Sequence, residues 1–137
     1  MSLIEILSII IIHWIADFIF QDEKWALGKS KNGLDLIKHT LTYSIIWCII
    51  GYVIAITLDT SDERALYMIK TILFFCITLF FHTITDYFTS RIVSKKFKNN
   101  QLGSAIPNFG VFTIIGFDQV LHYIQLFLTY YLLKQYF

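Results

Sequence analysis

The chain reads as four long apolar stretches separated by short polar ones. The first predicted helix covers residues 3–20, and a polar stretch from 21 to 38 follows it, with Lys31-Asn32-Gly33 as a turn signal. A second helix is predicted over 36–58, and the segment 41–58 carries no charged residue. The link Asp59-Thr60-Ser61-Asp62-Glu63-Arg64 then offers Thr60 or Ser61 as a helix cap, with acids suited to the helix N-terminus. A third helix over 65–90 continues into a basic amphipathic piece, 91–98. Residues 99–108, with the only proline, Pro107, form a loop, read as a linker or a lid. A fourth helix covers 109–134, and between 110 and 133 only Asp118 and His122 are ionisable, tyrosines aside.

A hydrocarbon core of about 30 Å is crossed by about 20 apolar residues in a helix. The four stretches meet that length, and none has the polar face that water would require. The expected fold is therefore all-α: an integral membrane four-helix bundle, one transmembrane domain over residues 1–137. Composition agrees, with 56% hydrophobic and 15% charged residues, against about 25% charged in a soluble domain. Mean hydropathy is +0.62. A net charge of +1 suggests no nucleic-acid partner. Cys48 and Cys76 fit no metal or disulfide spacing and are expected to be buried small hydrophobes. The N-terminus has no basic leader, carries Glu5 and lacks a small-x-small cleavage site, so it is read as a retained helix.

Charge sets the expected orientation. Lys24, Lys29, Lys31 and Lys38 flank the first loop, and Arg91, Lys95, Lys96 and Lys98 the third. By the positive-inside rule, residues 21–38 and 91–108 face the cytoplasm and both termini lie outside, in a multi-pass protein of the inner membrane. Tyr130, Tyr131, Tyr136 and Phe137 would form the outer aromatic belt.

Polar residues inside the apolar stretches carry the chemistry. His13 and Asp17, His82 and Asp86, and Asp118 and His122 are each spaced i, i+4, which puts both members on one helical face. His39 opens the second helix, with Tyr43 one turn on. Counted along the helices at about 1.5 Å per residue, all seven groups fall at one depth near the cytoplasmic face. Gln21, Tyr43, Thr78, Gln119 and Gln125 extend the same faces, as does Ser90, and would orient the imidazoles and carboxylates. As mere glue the cluster makes little sense: an aspartate at depth costs roughly 2.5–3.5 kcal/mol, while an intramembrane hydrogen bond returns about 0.6 kcal/mol.

Four imidazoles and three carboxylates suit a divalent metal, zinc first, with manganese or iron as alternatives. His13, Asp17, His39, His82, Asp86, Asp118 and His122 are the candidate ligands, enough for two metals or for one metal and an acid/base residue. The expected activity is metal-dependent hydrolysis of an amphiphilic, lipid-phosphate-like substrate from the cytoplasmic leaflet. Asp17 or Asp86 would serve as general base, and Lys95, Lys96 and Lys98 would steer the anionic headgroup. Metal-ion or proton transport, and a non-catalytic membrane effector with a structural metal or polar core, stand as alternatives.

At these residues the chain resembles a family of uncharacterised small bacterial and phage-borne membrane proteins. The family is marked by H-x-x-A-D-F-x-x-Q, a lone His, H-x-x-x-D and D-Q-x-x-H blocks. They match His13-Trp14-Ile15-Ala16-Asp17-Phe18-Ile19-Phe20-Gln21, His39, His82-Thr83-Ile84-Thr85-Asp86 and Asp118-Gln119-Val120-Leu121-His122. The resemblance spans nearly the whole chain and implies a polar site without naming a reaction. A more distant likeness is to membrane-bound metal-dependent hydrolases of the damage-inducible bacterial type, whose second-histidine blocks are missing here.

Overall fold

The first four α-helices each start with a side chain that closes them. Ser2 accepts from the Glu5 N–H while the Glu5 carboxylate accepts from the Ser2 N–H, a reciprocal cap on α1 (Leu3–Trp14). A π-helical turn, Ile15–Ile19, prolongs α1, and the Phe20 N–H donates to Ile15 O five residues back. Asp22 accepts from the Lys24 and Trp25 N–H groups and starts α2 (Glu23–Gly28). Asn32 caps α3 (Gly33–Ile56), and Thr60 with Glu63 forms the capping box of α4 (Ser61–Lys98). The last helix is α5 (Gly110–Tyr136).

This computed structural model describes residues 1–103 and 110–136. Pro107, Phe109 and Phe137, which figured in the readings of the last loop, the last helix start and the aromatic belt, lie outside the described residues. Among the described residues the protein is all-helical, with five α-helices and no strand. Three of them, α3, α4 and α5, are long and apolar enough to cross a membrane. α1 and its π turn, of 12 and 5 residues, extend about 25 Å together.

The basic segment 91–98 continues the third predicted helix, as the last two turns of one α4 of 38 residues. Two expectations shift. The stretch 21–38 is not simply a connection, because Asp22 caps a helical turn built from good helix formers. Cys76 is exposed and Cys48 half-buried, since both fall on outward faces of their helices.

The packing centres on α3 and α4; α5 lies against α4, α1 reaches α5, the π turn meets α3, and α2 lies along α3. Gly51 lets α3 and α4 approach closely: a Cβ there would stand 2.5 Å from Thr71 Cγ2 and Oγ1. Gly51→Ala is therefore expected to cost about 1–3 kcal/mol by overpacking. Adding Thr71→Ala should recover most of it, as read by thermal unfolding in detergent.

The interior is polar and the exterior apolar. Thirteen of the described buried residues are polar or charged and nine are hydrophobic, while Ile11, Phe18, Ile49, Phe80, Phe117 and Ile124 are exposed. Water would favour the reverse; the arrangement suits a lipid solvent.

Candidate metal centre

Every helix of the fold except α2 sends a histidine or aspartate to one buried cluster, and α2 ends beside it. His13 is the last-turn residue of α1, and Asp17 rides on the π turn. His39 comes from the second turn of α3, His82 and Asp86 from α4, and Asp118 and His122 from α5. All four histidines are at most 1% exposed, and the aspartates at most 9%.

Three imidazole Nε2 atoms and the carboxylates converge. His39 Nε2 stands 3.2 Å from Asp17 Oδ1, 2.9 Å from Asp86 Oδ2 and 3.3 Å from His82 Nε2. His82 Nε2 is 3.6 Å from Asp17 Oδ1 and 3.4 Å from Asp86 Oδ2. His122 Nε2 is 3.5 Å from Asp86 Oδ1 and 3.5 Å from Asp118 Oδ2. Two donors each about 2.1 Å from a tetrahedral ion stand about 3.4 Å apart, which is the spacing seen. Two groupings, Asp17–His39–His82 and His82–Asp86–His122, could each hold a metal ion.

The orientation of these atoms favours a cation between them. Asp17 Oδ1 and His122 Nε2 are buried and make no hydrogen bond despite their close neighbours. A buried polar atom left without a partner is costly unless something else meets it. Stacking aligns the rings: Tyr43 lies on His82 at 4.0 Å between centroids, and His82 on His122 at 4.1 Å. The outward Nδ1 atoms of His39, His82 and His122 have no hydrogen-bond partner. An imidazole proton placed there leaves each Nε2 lone pair pointing inward.

His13 is held differently. Gln119 Nε2 donates to Asp17 Oδ2 at 3.2 Å and to Asp118 Oδ2 at 3.4 Å, because carboxylates only accept. Gln119 Oε1 is thereby turned to accept from His13 Nε2–H at 2.7 Å. That leaves His13 Nδ1 to accept from the Tyr43 hydroxyl, also at 2.7 Å. Both ring nitrogens are thus occupied, and no lone pair remains for a metal. His13, grouped with the ligands on sequence, stands behind them and fixes Gln119 and Tyr43.

The remaining expected residues divide. Tyr43 and Gln119 touch the centre, and Thr89, which the sequence pattern does not single out, donates to Asp118 Oδ1 at 2.6 Å. Thr78 and Gln125 bond to each other at 3.3 Å, with Gln125 also reaching Thr129, a layer away from the carboxylates. Gln21 is half-buried, makes no hydrogen bond to the cluster, and lines a cavity beside it. Ser90 lines the same cavity. Lys95, Lys96 and Lys98 are exposed on the last turns of α4.

Lys29 is the residue that sequence reasoning assigned to topology alone. The short α2 places its Nζ 2.8 Å from Asp86 Oδ2 and 3.4 Å from His39 Nε2. Burial works against the ammonium, but the Asp86, Asp17 and Asp118 carboxylates outweigh it and raise the Lys29 pKa above the ordinary lysine value. No spacing motif could have found it; the one cue was a helix-capping aspartate seven residues earlier.

A cavity of about 370 Å³ opens onto the centre. Asp17, Lys29, Thr89, Asp118 and Gln119 supply its polar side, and Phe18, Leu27, Val93, Phe97, Ile114 and Ile115 its apolar walls.

No curated protein and no solved structure matches the chain. A family model described as "Protein of unknown function (DUF3307)" matches residues 6–137, nearly the whole length and every residue of the centre. The chain therefore belongs to the DUF3307 family.

Proposed function

We propose that this protein is a membrane-embedded, metal-dependent hydrolase acting on an amphiphilic phosphate ester that enters from the cytoplasmic leaflet. One observation carries the reading: a cluster of imidazole nitrogens and carboxylate oxygens at metal-ligand spacing borders, through Asp17 and Asp118, a cavity with one polar and one apolar side. In this reading α1 with its π turn, α3, α4 and α5 form a four-helix transmembrane bundle. The cavity is bordered by Ala26, Ser30, Val93 and Phe97, in the two stretches that carry eight of the eleven basic residues. By the positive-inside rule that end is cytoplasmic.

The roles follow from position. A divalent ion, zinc, manganese or iron, supplies Lewis acidity and lowers the pKa of a nearby water. His39, His82 and Asp86 would hold it, with Asp17 Oδ1. Asp86 is engaged through both oxygens, by Lys29 and His39 on one and His122 on the other. Asp17 too is engaged through both oxygens, Oδ2 accepting from Gln119. It lines the cavity, however, and Asp86 does not, so of the two aspartates expected to act as base it is the one within reach of an attacking water, through Oδ2. Lys29 lines the cavity beside Asp86 and meets the substrate's anionic head, closer to the chemistry than Lys95, Lys96 or Lys98. The apolar walls take the acyl or prenyl chain.

A conduit reading has one observation in its favour, the Thr78–Gln125–Thr129 contacts that continue polar groups toward the other end. Ile9, Trp47 and Leu126 pack into the core at that level and are at most 8% exposed. That apolar layer favours a closed pocket over a path.

The test is metal analysis of detergent-purified protein followed by a screen of lipid-phosphate substrates. Stoichiometric metal, lost in His82→Ala, together with phosphate release that chelation abolishes and metal restores, is the expected result. Metal-bearing protein that hydrolyses none of the substrates, yet moves ions in proteoliposomes, would overturn it. Orientation is checked by cysteine labelling: a cysteine at position 31 should be blocked from outside and one at position 61 should label.

A further inference from the structure

The three carboxylates of the centre are not arranged around one point. Asp86 turns its two oxygens to different neighbours: Oδ2 faces His39, His82 and Lys29, whereas Oδ1 faces His122. On the Oδ2 side His39 Nε2 and His82 Nε2 stand 3.3 Å apart, and each lies between 2.9 and 3.6 Å from both Asp86 Oδ2 and Asp17 Oδ1. On the Oδ1 side His122 Nε2 lies 3.5 Å from Asp86 and 3.5 Å from Asp118 Oδ2. Each side also contains one buried donor that makes no hydrogen bond, Asp17 Oδ1 on the first and His122 Nε2 on the second.

We infer that the centre takes two divalent cations, bridged by the Asp86 carboxylate. Resting on the metal-centre reading above, this assigns Asp17, His39, His82 and Asp86 Oδ2 to one ion, and Asp86 Oδ1, His122 and Asp118 to the other. The single inward lone pair of His82 serves one ion only, and its nearest donors, His39 at 3.3 Å and Asp86 Oδ2 at 3.4 Å, place it with the first. Thr89 holds Asp118 through Oδ1, the oxygen that does not face His122, as a metal-ligating carboxylate is held. Two ions on opposite oxygens of one carboxylate stand about 3.5–4 Å apart in two-metal hydrolytic sites, where they clamp the attacking and leaving oxygens of a phosphoryl transfer.

Charge points to the same substrate class. With neutral imidazoles, three aspartates and Lys29 leave the centre at −2. The first divalent ion neutralises it and the second brings it to +2, a state a phosphate dianion balances. The second ion, with three protein donors on the open side where Asp118 lines the cavity, therefore binds together with a phosphate group.

Full-length protein in detergent is stripped, loaded with Mn²⁺ in the presence of inorganic phosphate, and read by metal content and electron paramagnetic resonance. Two equivalents with an exchange-coupled spectrum are expected. Asp118→Asn should retain one equivalent, with the six-line signal of an isolated ion, and omitting phosphate should weaken the second equivalent at least tenfold. One equivalent in the unsubstituted protein, with an uncoupled spectrum, overturns the bridged pair and leaves a one-metal hydrolase standing. No bound metal in correctly folded protein overturns both readings. The spectrum of the unsubstituted protein decides the matter even should Asp118→Asn fail to fold.

Discussion

Asp86→Asn is expected to strip the centre of metal and weaken the fold together. The carboxylate sits 1% exposed among His39, His82, His122 and Lys29, so the three candidate ligand imidazoles and the one ammonium of the centre all meet it. An amide keeps the shape and one acceptor oxygen but removes the charge. The Lys29 ammonium, whose side chain is 18% exposed, would be left facing no adjacent anion. Removing one partner of a buried ion pair costs about 3–5 kcal/mol. The lower figure applies here, since the asparagine oxygen still accepts from Lys29. Metal content should fall to background and hydrolysis with it, and the thermal midpoint in detergent should drop even for metal-free protein. Equal midpoints for the two metal-free proteins would show that Lys29 does not depend on Asp86.

Lys29→Gln should separate binding of metal from binding of substrate. The ammonium competes with a cation for Asp86 Oδ2, at 2.8 Å, so its removal should leave metal affinity unchanged or tighter. The anionic head of the substrate loses a charge-assisted hydrogen bond, an interaction of about 1.5–3 kcal/mol. That is roughly a ten- to hundredfold rise in KM, with kcat less affected, and Lys29→Arg should restore most of it. A loss of metal in Lys29→Gln would instead make the residue a structural support of the ligands.

Much of the fold was legible because lipid imposes a simple pattern. The uninterrupted apolar runs that became α3, α4 and α5 could be read directly, since a span must satisfy its backbone internally and show hydrocarbon on its surface. Capping chemistry was legible in part: the sequence offers Thr60 or Ser61 as the cap, and in the structure Thr60 takes the role, with Glu63 closing the box. The i, i+4 pairs put His82 beside Asp86 and Asp118 beside His122. The first pair fared less well: His13 Nε2 and Asp17 Oδ2 stand 4.0 Å apart, because the π turn at Ile15–Ile19 departs from the α-helical phase on which the spacing argument rests. The short α2 was hidden because a six-residue helix in a polar stretch has no periodicity to detect.

What the sequence determined by itself was which side chains must be hidden from lipid, and roughly how deep. Solvent alone sets that, and it can be read residue by residue. Which atom of each side chain meets which partner was decided only by tertiary packing. The amide of Gln119 turns His13 away from ligation, the two oxygens of Asp86 face separate sets of donors, and a lysine from a loop enters the cluster. These depend on distances of about 3 Å between residues as many as 106 positions apart, which local spacing cannot encode.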